Sequence, residues 1–575
     1  MKKSKSDMAL AAYEERPWLK WYPKDVPADI EIPKKSVTEM VDQGAEKWGG
    51  KTAVIFYGNK MEHKEIRELS LRFATALHDL GIRKGDRVGI LLPNCPQFMI
   101  AYYGILRLGA TATTLSPLYT PREIKHQIND TDSETLVVLD LLFEKVEKVW
   151  EETGLKHVII TSIAEYFPGR GRLFGKLRGK TLETEVSSKT GVIQFQDLIQ
   201  KYPPHPPNVE IDPEDIAALP YTGGTTGLPK GAVLSHRNIV TLNEQIRRFF
   251  PEIEDGKEVG LAVMPFYHIY GQSVIMLTGA FRGGTGVVFS RPDIDEILDS
   301  IEKYGVTIFY GVPTLYKYLA DHSKTKRINW KKVKYFFSGA DTLHKKTLAN
   351  WMRETGREIF EGYGSTETSG VTHAQPYNRN RPGTLGIPLP NTHAAVARFE
   401  NNKFVEFLPP GQEGEIVVSG PQVQRGFWRR PEENKISFFE AGGRVWFRIG
   451  DMGSMDEEGY FHFVERTKDM IKYKGLSVYP SEIEDVLFHH PKIKEAAVIG
   501  VPDPVVGERV KAIVVAERDY RGKISEEEVM KYCEDKLAHY KVPKIVEFRG
   551  EIPKTDVMKV DHKKLRAELF RLEEK

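Results

Sequence analysis

The chain has very little cysteine. Cys95 and Cys533 are the two cysteines in 575 residues. Two distant cysteines cannot form a disulfide framework or a cysteine-based metal site, and such usage is typical of a reducing compartment. We therefore expect a cytoplasmic protein whose chemistry does not depend on cysteine.

Long apolar runs and a charge of one sign are also missing. No uninterrupted apolar run approaches the about eighteen residues that a membrane-spanning helix needs, and the run from Met8 to Tyr13 is too short for a signal peptide. Lys and Arg number 82 against 80 Asp and Glu, a net charge of +2. A dedicated nucleic-acid-binding protein would carry a basic excess, so we expect no nucleic-acid partner.

The chain is long enough for two or three domains. Residues 1–35 are polar and contain proline, and we expect them to form an arm on the surface. From Ala53 onward, helical stretches such as Lys64–Leu80 alternate with short continuous apolar runs such as Arg87–Leu92. This alternation predicts mostly parallel sheets that are covered by helices on both faces.

After about Thr384 the pattern changes to short strands separated by glycine turns. The sequence therefore predicts an α/β fold with a large N-terminal domain of mostly parallel β-sheets and covering helices, residues 36–465, which includes a small β-rich subdomain at about 384–465. We place a hinge at 466–469 and a small mobile C-terminal α/β domain at 470–575.

The stretch Tyr221–Gly231 contains four glycines, three threonines and one lysine. Glycine allows the backbone N–H groups to approach an anion, threonine adds hydroxyl donors, and Lys230 adds charge. The spacing differs from the Walker pattern. An apolar strand at Ile216–Leu219 precedes the stretch, and Ser235 follows it as a candidate cap for a helix. These features predict a mobile phosphate-binding loop, with an unspecialised surface loop as the alternative.

A second motif, Glu361–Thr368, follows an apolar strand. Its Tyr363 could stack on a base, Thr366 could donate to a phosphate, and Glu367 could hold Mg²⁺. Asp451, after Gly450, could bind the two hydroxyls of a ribose. Further candidates that mean little by themselves are Pro265–His268, Lys554 and Lys559.

Taken in this order, the motifs resemble the adenylate-forming superfamily, which includes acyl-CoA synthetases, adenylation domains of peptide synthetases and beetle luciferases. The resemblance extends from about Ala53 to Leu565. The segments that carry it are 221–231, 265–268, 338–340, 361–367, 450–451, 465–469, 472–475, 553–555 and Lys559.

The resemblance implies that the protein uses ATP, Mg²⁺ and, as a co-substrate, coenzyme A. The implied contacts to the β- and γ-phosphates of ATP are Thr222, Gly223, Gly224, Thr225, Thr226, Gly227 and Lys230. The other implied nucleotide contacts are Gly339, Ala340, Asp341, Glu361, Gly362, Tyr363, Gly364, Asp451, Arg466 and Lys472.

The resemblance also implies roles in the reaction. Lys559 would bridge the substrate carboxylate and the α-phosphate, Thr366 would bind that phosphate, and His268 would lie beside the acyl carboxyl group. Thr222 and Glu367 would bind the metal ion, and Lys468 would be the hinge residue. Lys474 and Gly475 would lie on the coenzyme A side.

Four positions depart from the usual pattern of the superfamily. Gly223 replaces a common serine, and Val557-Met558 replaces the Ser-Gly pair before the last lysine. Asp341 occupies a position where small apolar residues are common. Plant phenylpropanoid ligases typically have glutamine where this chain has Ser477, which argues against an aromatic acid.

The choice of substrate depends on an insertion and on apolar walls. The insertion Ser162–Thr190 resembles that of long-chain fatty-acid CoA ligases, and the segment 265–270 and the helix 236–250 could wall an apolar tunnel. We therefore predict a ligase for medium- to long-chain fatty acids. Alternatives are an aromatic- or branched-acid CoA ligase, a fatty-acyl-AMP ligase that loads a carrier protein, and a non-catalytic relative.

Two assembly questions follow from the same sequence. Residues 167–180 mix basic and apolar side chains that could touch an anionic membrane surface, with a solvated loop as the alternative. Weak peripheral contact of a cytoplasmic protein with a membrane is thus one expectation. The sequence leaves open whether two chains form a homodimer.

Overall fold

The computed structural model describes residues 5–168, 190–222, 229–291, 293–473, 476–503, 505–555 and 558–573. Within them no helix is both long enough and apolar enough to cross a membrane. A π-helix covers Tyr270–Leu277. The α-helices are α1 (Lys5–Glu14), α2 (Val37–Trp48), α3 (His63–Asp79), α4 (Pro96–Arg107), α5 (Pro121–Thr131), α6 (Phe143–Glu147), α7 (Phe195–Lys201), α8 (His236–Phe249), α9 (Thr278–Arg282), α10 (Ile294–Lys303), α11 (Pro313–Asp321), α12 (Lys345–Thr355), α13 (Pro431–Ser437), α14 (Pro480–Phe488), α15 (Glu526–Glu534) and α16 (His562–Glu573).

The strands fall into two groups, those that precede the β-rich subdomain and those within it or after it. Those before it are β1 (Thr52–Phe56), β2 (Asn59–Glu62), β3 (Arg87–Leu91), β4 (Thr111–Thr114), β5 (Thr135–Leu139), β6 (His157–Thr161), β7 (Val192–Gln194), β8 (Ile216–Ala218), β9 (Tyr221–Thr222), β10 (Lys230–Gly231), β11 (Leu234–Ser235), β12 (Val259–Ala262), β13 (Thr285–Val288), β14 (Ile308–Gly311), β15 (Tyr335–Ser338), β16 (Phe360–Tyr363), β17 (His373–Ala374) and β18 (Ile387–Pro388). Those from it onward are β19 (His393–Glu400), β20 (Lys403–Phe407), β21 (Gly414–Ser419), β22 (Phe438–Ala441), β23 (Arg444–Met455), β24 (Phe461–Arg466), β25 (Ile471–Tyr473), β26 (Leu476–Val478), β27 (Ile493–Asp503), β28 (Gly507–Ala516) and β29 (Ile545–Phe548).

Two large sheets form the centre of the molecule. One has the order β18-β17-β16-β15-β14-β12-β13-β1-β2 and the other β11-β8-β4-β3-β5-β6-β7. Strands β12 to β16 pair in parallel, as do β3 to β7. Continuous apolar strands are buried on both faces here, as expected for parallel sheets covered by helices. The prediction of an α/β fold with parallel sheets is confirmed.

A third sheet, with the order β20-β19-β21-β23-β22 and β24 paired to β23, is antiparallel. It corresponds to the predicted β-rich part. The chain after β24 forms a separate five-stranded sheet, in which β28 pairs with β25, β27 and β29. That sheet has its own core, centred on Ile483, Val498 and Val514.

The N-terminal segment is anchored by buried aromatic residues. Tyr13 and Trp18 are 2% and 1% exposed, and both belong to the main hydrophobic core. The Tyr13 hydroxyl donates to the carbonyl of Leu408 (2.9 Å), and the Trp18 ring packs edge-on against Phe461. A few large aromatic side chains within polar sequence therefore dock the segment onto the large domain.

Candidate active site

The parallel strands of the nine-stranded sheet deliver several predicted residues to one edge. Gly311 is opposite Ser338 in the β14–β15 pair, and Ser338 is opposite Glu361 in the β15–β16 pair. Their carboxyl ends therefore meet at the same edge, where ligands bind in open α/β sheets. A cavity of about 1110 Å³ lies there, with one group of polar lining residues and one group of apolar ones.

Many of the residues singled out in the sequence line this cavity. They come from segments far apart in the chain, including the nine-stranded sheet, the β9–β10 pair, the β23–β24 pair and the C-terminal part. These residues are Thr222, Lys230, His268, Gly339, Ala340, Glu361, Gly362, Gly364, Thr366, Glu367, Asp451, Arg466, Lys468 and Lys559.

The remaining candidates are distributed differently. Asp341 and Lys472 are exposed, and Lys472 donates its backbone N–H to Glu508 (2.7 Å). Tyr363 is partly buried beside the cavity. Seven candidates lie outside the described residues, namely Gly223, Gly224, Thr225, Thr226, Gly227, Lys474 and Gly475. Most of the basic-apolar segment 167–180, from residue 169 onward, also lies outside them.

The two ends of the predicted phosphate loop form a small hairpin. Thr222 on β9 pairs with Lys230 on β10. The Tyr221 hydroxyl donates to Asp130 (2.6 Å), which anchors the base of the hairpin. The Lys230 ammonium group forms an ion pair with Glu433 (2.5 Å) and lines the cavity. The ammonium group is thus held at the mouth of the cavity by a partly exposed partner from which it can be released.

The predicted adenine site is formed by close backbone approach. Gly339 follows β15, and a Cβ atom there would lie 3.3 Å from the carbonyl oxygen of Gly362. At Gly364 a Cβ atom would lie 2.4 Å from the carbonyl oxygen of Gly370, so no side chain fits without movement of the backbone. Ala340 has a left-handed backbone, with φ of 73°. Backbone therefore lies close to backbone at the ends of β15 and β16, where the adenine site is predicted.

The candidate ribose site is a cross-strand pair with an aromatic partner. Asp451 on β23 is directly opposite Arg466 on β24, and Arg466 Nε lies 3.7 Å from its carboxylate. The Tyr363 hydroxyl donates to Asp451 Oδ2 (2.8 Å). The register of the hairpin therefore sets the position of the arginine, and the tyrosine orients the carboxylate. The sequence suggested both roles but not this link between them.

Lys559 reaches the cavity from the C-terminal part of the chain. Its backbone is held in a turn, where it donates to the Thr555 hydroxyl (3.3 Å) and accepts from the Thr555 N–H (2.7 Å). Burial, and then the charge of Arg466, lowers the pKa of Lys559 to about 8. The ammonium group is thus only moderately stable in its charged form until an anion binds beside it.

Met558 explains how the turn tolerates a departure from the usual sequence. Its φ is 59°, in the left-handed region that favours glycine. Its carbonyl accepts a hydrogen bond from the Thr314 hydroxyl (3.0 Å), and its side chain packs against the main core. The methionine adopts the backbone that a glycine would provide, and these contacts offset the strain.

His268 is neutral. Burial, and then the charge of Lys559, lowers its pKa to about 3. Its Nδ1 accepts the backbone N–H of Tyr270 (3.2 Å), so the ring proton is on Nε2. An imidazole in this state can donate one hydrogen bond, and it cannot hold positive charge near neutral pH.

Glu361 and Glu367 are the two acidic residues of the motif on β16. Burial raises the pKa of Glu361 to about 7, and its carboxylate accepts the N–H of Gly383 (3.1 Å). Glu367 lies in a short 3₁₀ turn after the strand and lines the cavity beside Thr366. Of the two, Glu367 is the better metal ligand, because Glu361 is engaged with the backbone.

The donor set near Glu367 fits Mg²⁺. Glu367 and Thr222 bring oxygen ligands to the cavity, which is the ligand type that Mg²⁺ prefers. No group of three or more His, Cys, Asp and Glu residues suited to a metal occurs among the described residues. A site with few protein oxygens is usual for an ion that keeps waters and shares phosphate oxygens with a nucleotide.

The apolar part of the cavity extends away from the polar residues. Ile246 and Phe250, from α8 and the residue after it, form part of one wall, as the sequence predicted. The segment 265–270 contributes Tyr267, Ile269 and Tyr270, again as the sequence predicted. The other wall residues were not foreseen, because they come from helices, a loop and strands that share no local motif. They include Ile253, Val274, Ile275, Gly279, Ile308, Tyr310 and Phe337.

Comparisons with known proteins agree with this arrangement. Residues 41–428 match the family described as AMP-binding enzyme, and residues 482–559 match the AMP-binding enzyme C-terminal domain. A long-chain-fatty-acid–CoA ligase of Bacillus subtilis is 37% identical over 558 residues, which cover 96% of this chain and 98% of that protein.

Solved structures show the same architecture. ATP-bound MatB from Rhodopseudomonas palustris aligns with a TM-score of 0.80 at 28% identity, over 93% of this chain and 99% of that one. A long-chain-fatty-acid-CoA ligase from Archaeoglobus fulgidus aligns with a TM-score of 0.67 at 27% identity, over 92% and 99%. The matched segments cover most of the sequence that forms both the large domain and the C-terminal part, and the chain therefore belongs to the family of AMP-binding enzymes.

Proposed function

We propose that the protein is an acid–thiol ligase that uses ATP to activate a medium- to long-chain fatty acid and transfers the acyl group to coenzyme A. The products would be acyl-CoA, AMP and pyrophosphate. The observation that carries the proposal is the continuity of the cavity, in which the polar residues Asp451, Thr366 and Lys559 share one space with an apolar arm. The similarity to long-chain-fatty-acid–CoA ligases supports the same substrate class.

In the first half-reaction, a carboxylate oxygen of the fatty acid attacks the α-phosphorus and pyrophosphate leaves. Negative charge builds up on the α-phosphate oxygens, and the Lys559 ammonium group and the Thr366 hydroxyl lie in the cavity to stabilise it. Glu367 and Thr222 would hold Mg²⁺, whose charge assists at the phosphates when it is bound. Asp451 and Arg466 would hold the ribose.

Release of pyrophosphate involves the hairpin at the mouth of the cavity. Lys230 would exchange its ion pair with Glu433 for the β- and γ-phosphates when ATP enters. The reverse exchange would help pyrophosphate to leave. The hairpin therefore binds the leaving group, and the bond changes take place beside Thr366 and Lys559.

In the second half-reaction, the thiol of coenzyme A attacks the acyl carbonyl and AMP leaves. His268 is neutral and carries its ring proton on Nε2, so it can donate a hydrogen bond to an acyl oxygen. Lys559 is needed for the first half only, and a rotation at Lys468 would move it away. The predicted roles of Lys474 and Gly475 at the thiol side belong to that second orientation.

A panel of carboxylic acids tests the proposal. AMP release is measured with and without coenzyme A for saturated acids of increasing length, for acetate and for coumarate. We expect activity that rises with acyl length, and acyl-CoA as the product. A preference for acetate or coumarate would refute the substrate class, and transfer to a carrier protein but not to coenzyme A would refute the acceptor.

A further inference from the structure

The cavity also reaches the amino ends of two strands, opposite the edge of the sheet that carries the predicted nucleotide contacts. Glu258, at the start of β12, and Arg282, at the end of α9, both line the cavity together with Gly284 and Thr285. Both ionic side chains are buried, at 7% and 8% exposure. A channel for a hydrocarbon chain alone has no need of buried charges at its end, since such groups are costly to desolvate.

The Glu258 carboxylate already has several hydrogen-bond donors. It accepts from the Lys334 ammonium group (2.7 Å), from the Thr307 hydroxyl (2.6 Å) and from the backbone N–H of Glu254 (2.9 Å). Its charge is balanced by Lys334. Glu258 is therefore a fixed part of the wall.

The Arg282 guanidinium group, in contrast, has acceptors for some of its N–H groups only. Its Nε donates to Asp255 (2.7 Å) and its Nη2 donates to the carbonyl of Ile253. Its Nη1 is buried and finds no acceptor among the residues that the structure describes. A buried donor of a charged group without an acceptor is strongly unfavourable. Because Arg282 lines the cavity, a small turn of its guanidinium group towards the cavity would let an acceptor from a ligand satisfy this nitrogen.

We propose that the far end of the acyl channel recognises a terminal hydroxyl group, so that ω-hydroxy fatty acids are preferred substrates. The inference rests on the proposed function, because it assigns the apolar arm to the acyl chain. The hydroxyl oxygen accepts from Arg282 Nη1, while the methylene groups occupy the arm between Phe250 and Val274. A methyl terminus would leave the donor unpaired.

Charge balance favours a hydroxyl group over a second carboxylate. Arg282 and Arg247 both pair with Asp255, and Arg247 also pairs with Glu244, so these two cations are balanced by two carboxylates. Glu258 is paired with Lys334. A carboxylate would therefore bring an uncompensated negative charge into a buried end that already contains two carboxylates. A hydroxyl group satisfies the free donor without adding charge.

Matched acids test the proposal in the full-length enzyme. For each length from octanoate to octadecanoate, kcat/KM is measured with the unsubstituted acid, the ω-hydroxy acid and the dicarboxylic acid. We expect the ω-hydroxy acid to exceed the unsubstituted acid by at least about ten-fold at one length, because sites built to bind a hydroxyl group discriminate strongly against its absence. The advantage should fall on both sides of that length.

Arg282→Lys keeps a cation beside Asp255 but removes the Nη1 donor. We expect this variant to lower the ratio of ω-hydroxy to unsubstituted acid towards one. The matched control is Arg247→Lys, because Arg247 pairs with the same Asp255 (2.9 Å) from a more exposed position. Arg247→Lys should keep the parental ratio, and thermal unfolding of both variants shows whether either is damaged.

Each outcome decides the question. Equal kcat/KM for hydroxylated and unsubstituted acids at every length, or a ratio that Arg282→Lys leaves unchanged, overturns the inference and leaves the proposed function intact. A preference for the dicarboxylic acid overturns the assignment of a neutral terminal group. If no fatty acid of any kind is activated, the proposed function fails and the inference fails with it.

Discussion

Lys559 lies half-buried in the cavity, where burial and then the charge of Arg466 lower its pKa to about 8. The protonated form predominates below that pH and is lost as the pH rises through it. Because only the ammonium form can stabilise charge at the α-phosphate, we expect kcat/KM of the first half-reaction to fall above about pH 8. Pyrophosphate exchange at several pH values measures this.

A matched variant identifies the group that titrates. Lys559→Arg keeps its charge well beyond this range, so its weaker exchange activity should not fall between about pH 8 and about pH 10. Lys564→Met, at an exposed lysine five residues further on, should keep the parental profile. A parental profile that stays level to about pH 10 would contradict the assigned role of the Lys559 charge.

Tyr363 connects the predicted adenine site to the proposed ribose site. Its hydroxyl donates to Asp451 (2.8 Å), while its ring is available to the base. Tyr363→Phe keeps the ring but frees the carboxylate, and a lost hydrogen bond of about 1 kcal/mol corresponds to a rise in KM for ATP of about five-fold.

The comparison of ATP with 2′-deoxy-ATP shows whether the ribose site is involved. The parent enzyme should discriminate between the two nucleotides, and Tyr363→Phe should discriminate less, because Asp451 is less well oriented. Tyr520→Phe, at an exposed tyrosine, should change neither value. Unchanged discrimination in Tyr363→Phe would mean that the hydroxyl has no part in ribose binding.

For single residues, the sequence predicts which residues belong to the site better than it predicts which of them contact each other. Gly339, Asp451 and Lys559 were chosen from motifs, and all three line one cavity. The hydrogen bond from Tyr363 to Asp451 and the free donor of Arg282 could not be predicted, because they depend on side chains from distant segments meeting in space. Met558 is an intermediate case, since a non-glycine residue in place of glycine was visible but its backbone angle was not.

Strands and helices were predicted to within a few residues where their patterns were continuous. The helical stretch Lys64–Leu80 corresponds to α3 and the apolar run Arg87–Leu92 to β3, and Ser235 caps a helix that begins at His236. The anchors of the N-terminal segment could not be predicted, because they are isolated aromatic residues without periodicity. The apolar arm was only partly predicted, since residues from the π-helix, α9, β14 and β15 meet in it without a shared local motif.

Helix α9 offers a direct test of the apolar arm. Gly279 lines the cavity, and a Cβ atom built there meets no other atom within 4 Å. A side chain at this position would therefore grow into the arm without a clash at its base, and leucine also favours a helix over glycine. We expect Gly279→Leu to fold normally and to shorten the space for the acyl chain.

The expected result is a shift in chain-length preference. Overpacking costs about 1–3 kcal/mol, so kcat/KM for hexadecanoate should fall by about 5- to 150-fold, while octanoate is little affected. Gly154→Leu, at an exposed glycine with open surroundings, serves as the control. An equal loss for all lengths would show that Gly279 does not border the acyl chain.

On the scale of the whole molecule, the C-terminal part is docked in the orientation that brings Lys559 into the cavity. Helix α11 provides much of the docking surface. Thr314 donates to the carbonyl of Met558 (3.0 Å), Lys317 to the carbonyl of Lys494 (2.7 Å), and Tyr318 accepts from Lys554 (3.0 Å). These contacts favour the first half-reaction and have to break before the second orientation that we propose can form.

Lys317→Met keeps the packing of the long side chain but removes its hydrogen bond to the C-terminal part. A loss of about 1.4 kcal/mol from the docked state alone corresponds to about ten-fold less adenylation. Transfer of the acyl group from preformed acyl-AMP to coenzyme A should not slow, because it uses the other orientation. Single-turnover assays measure each half separately, with Lys345→Met as the exposed control. An equal loss in both halves would show general damage and would contradict a role for this contact in domain alternation.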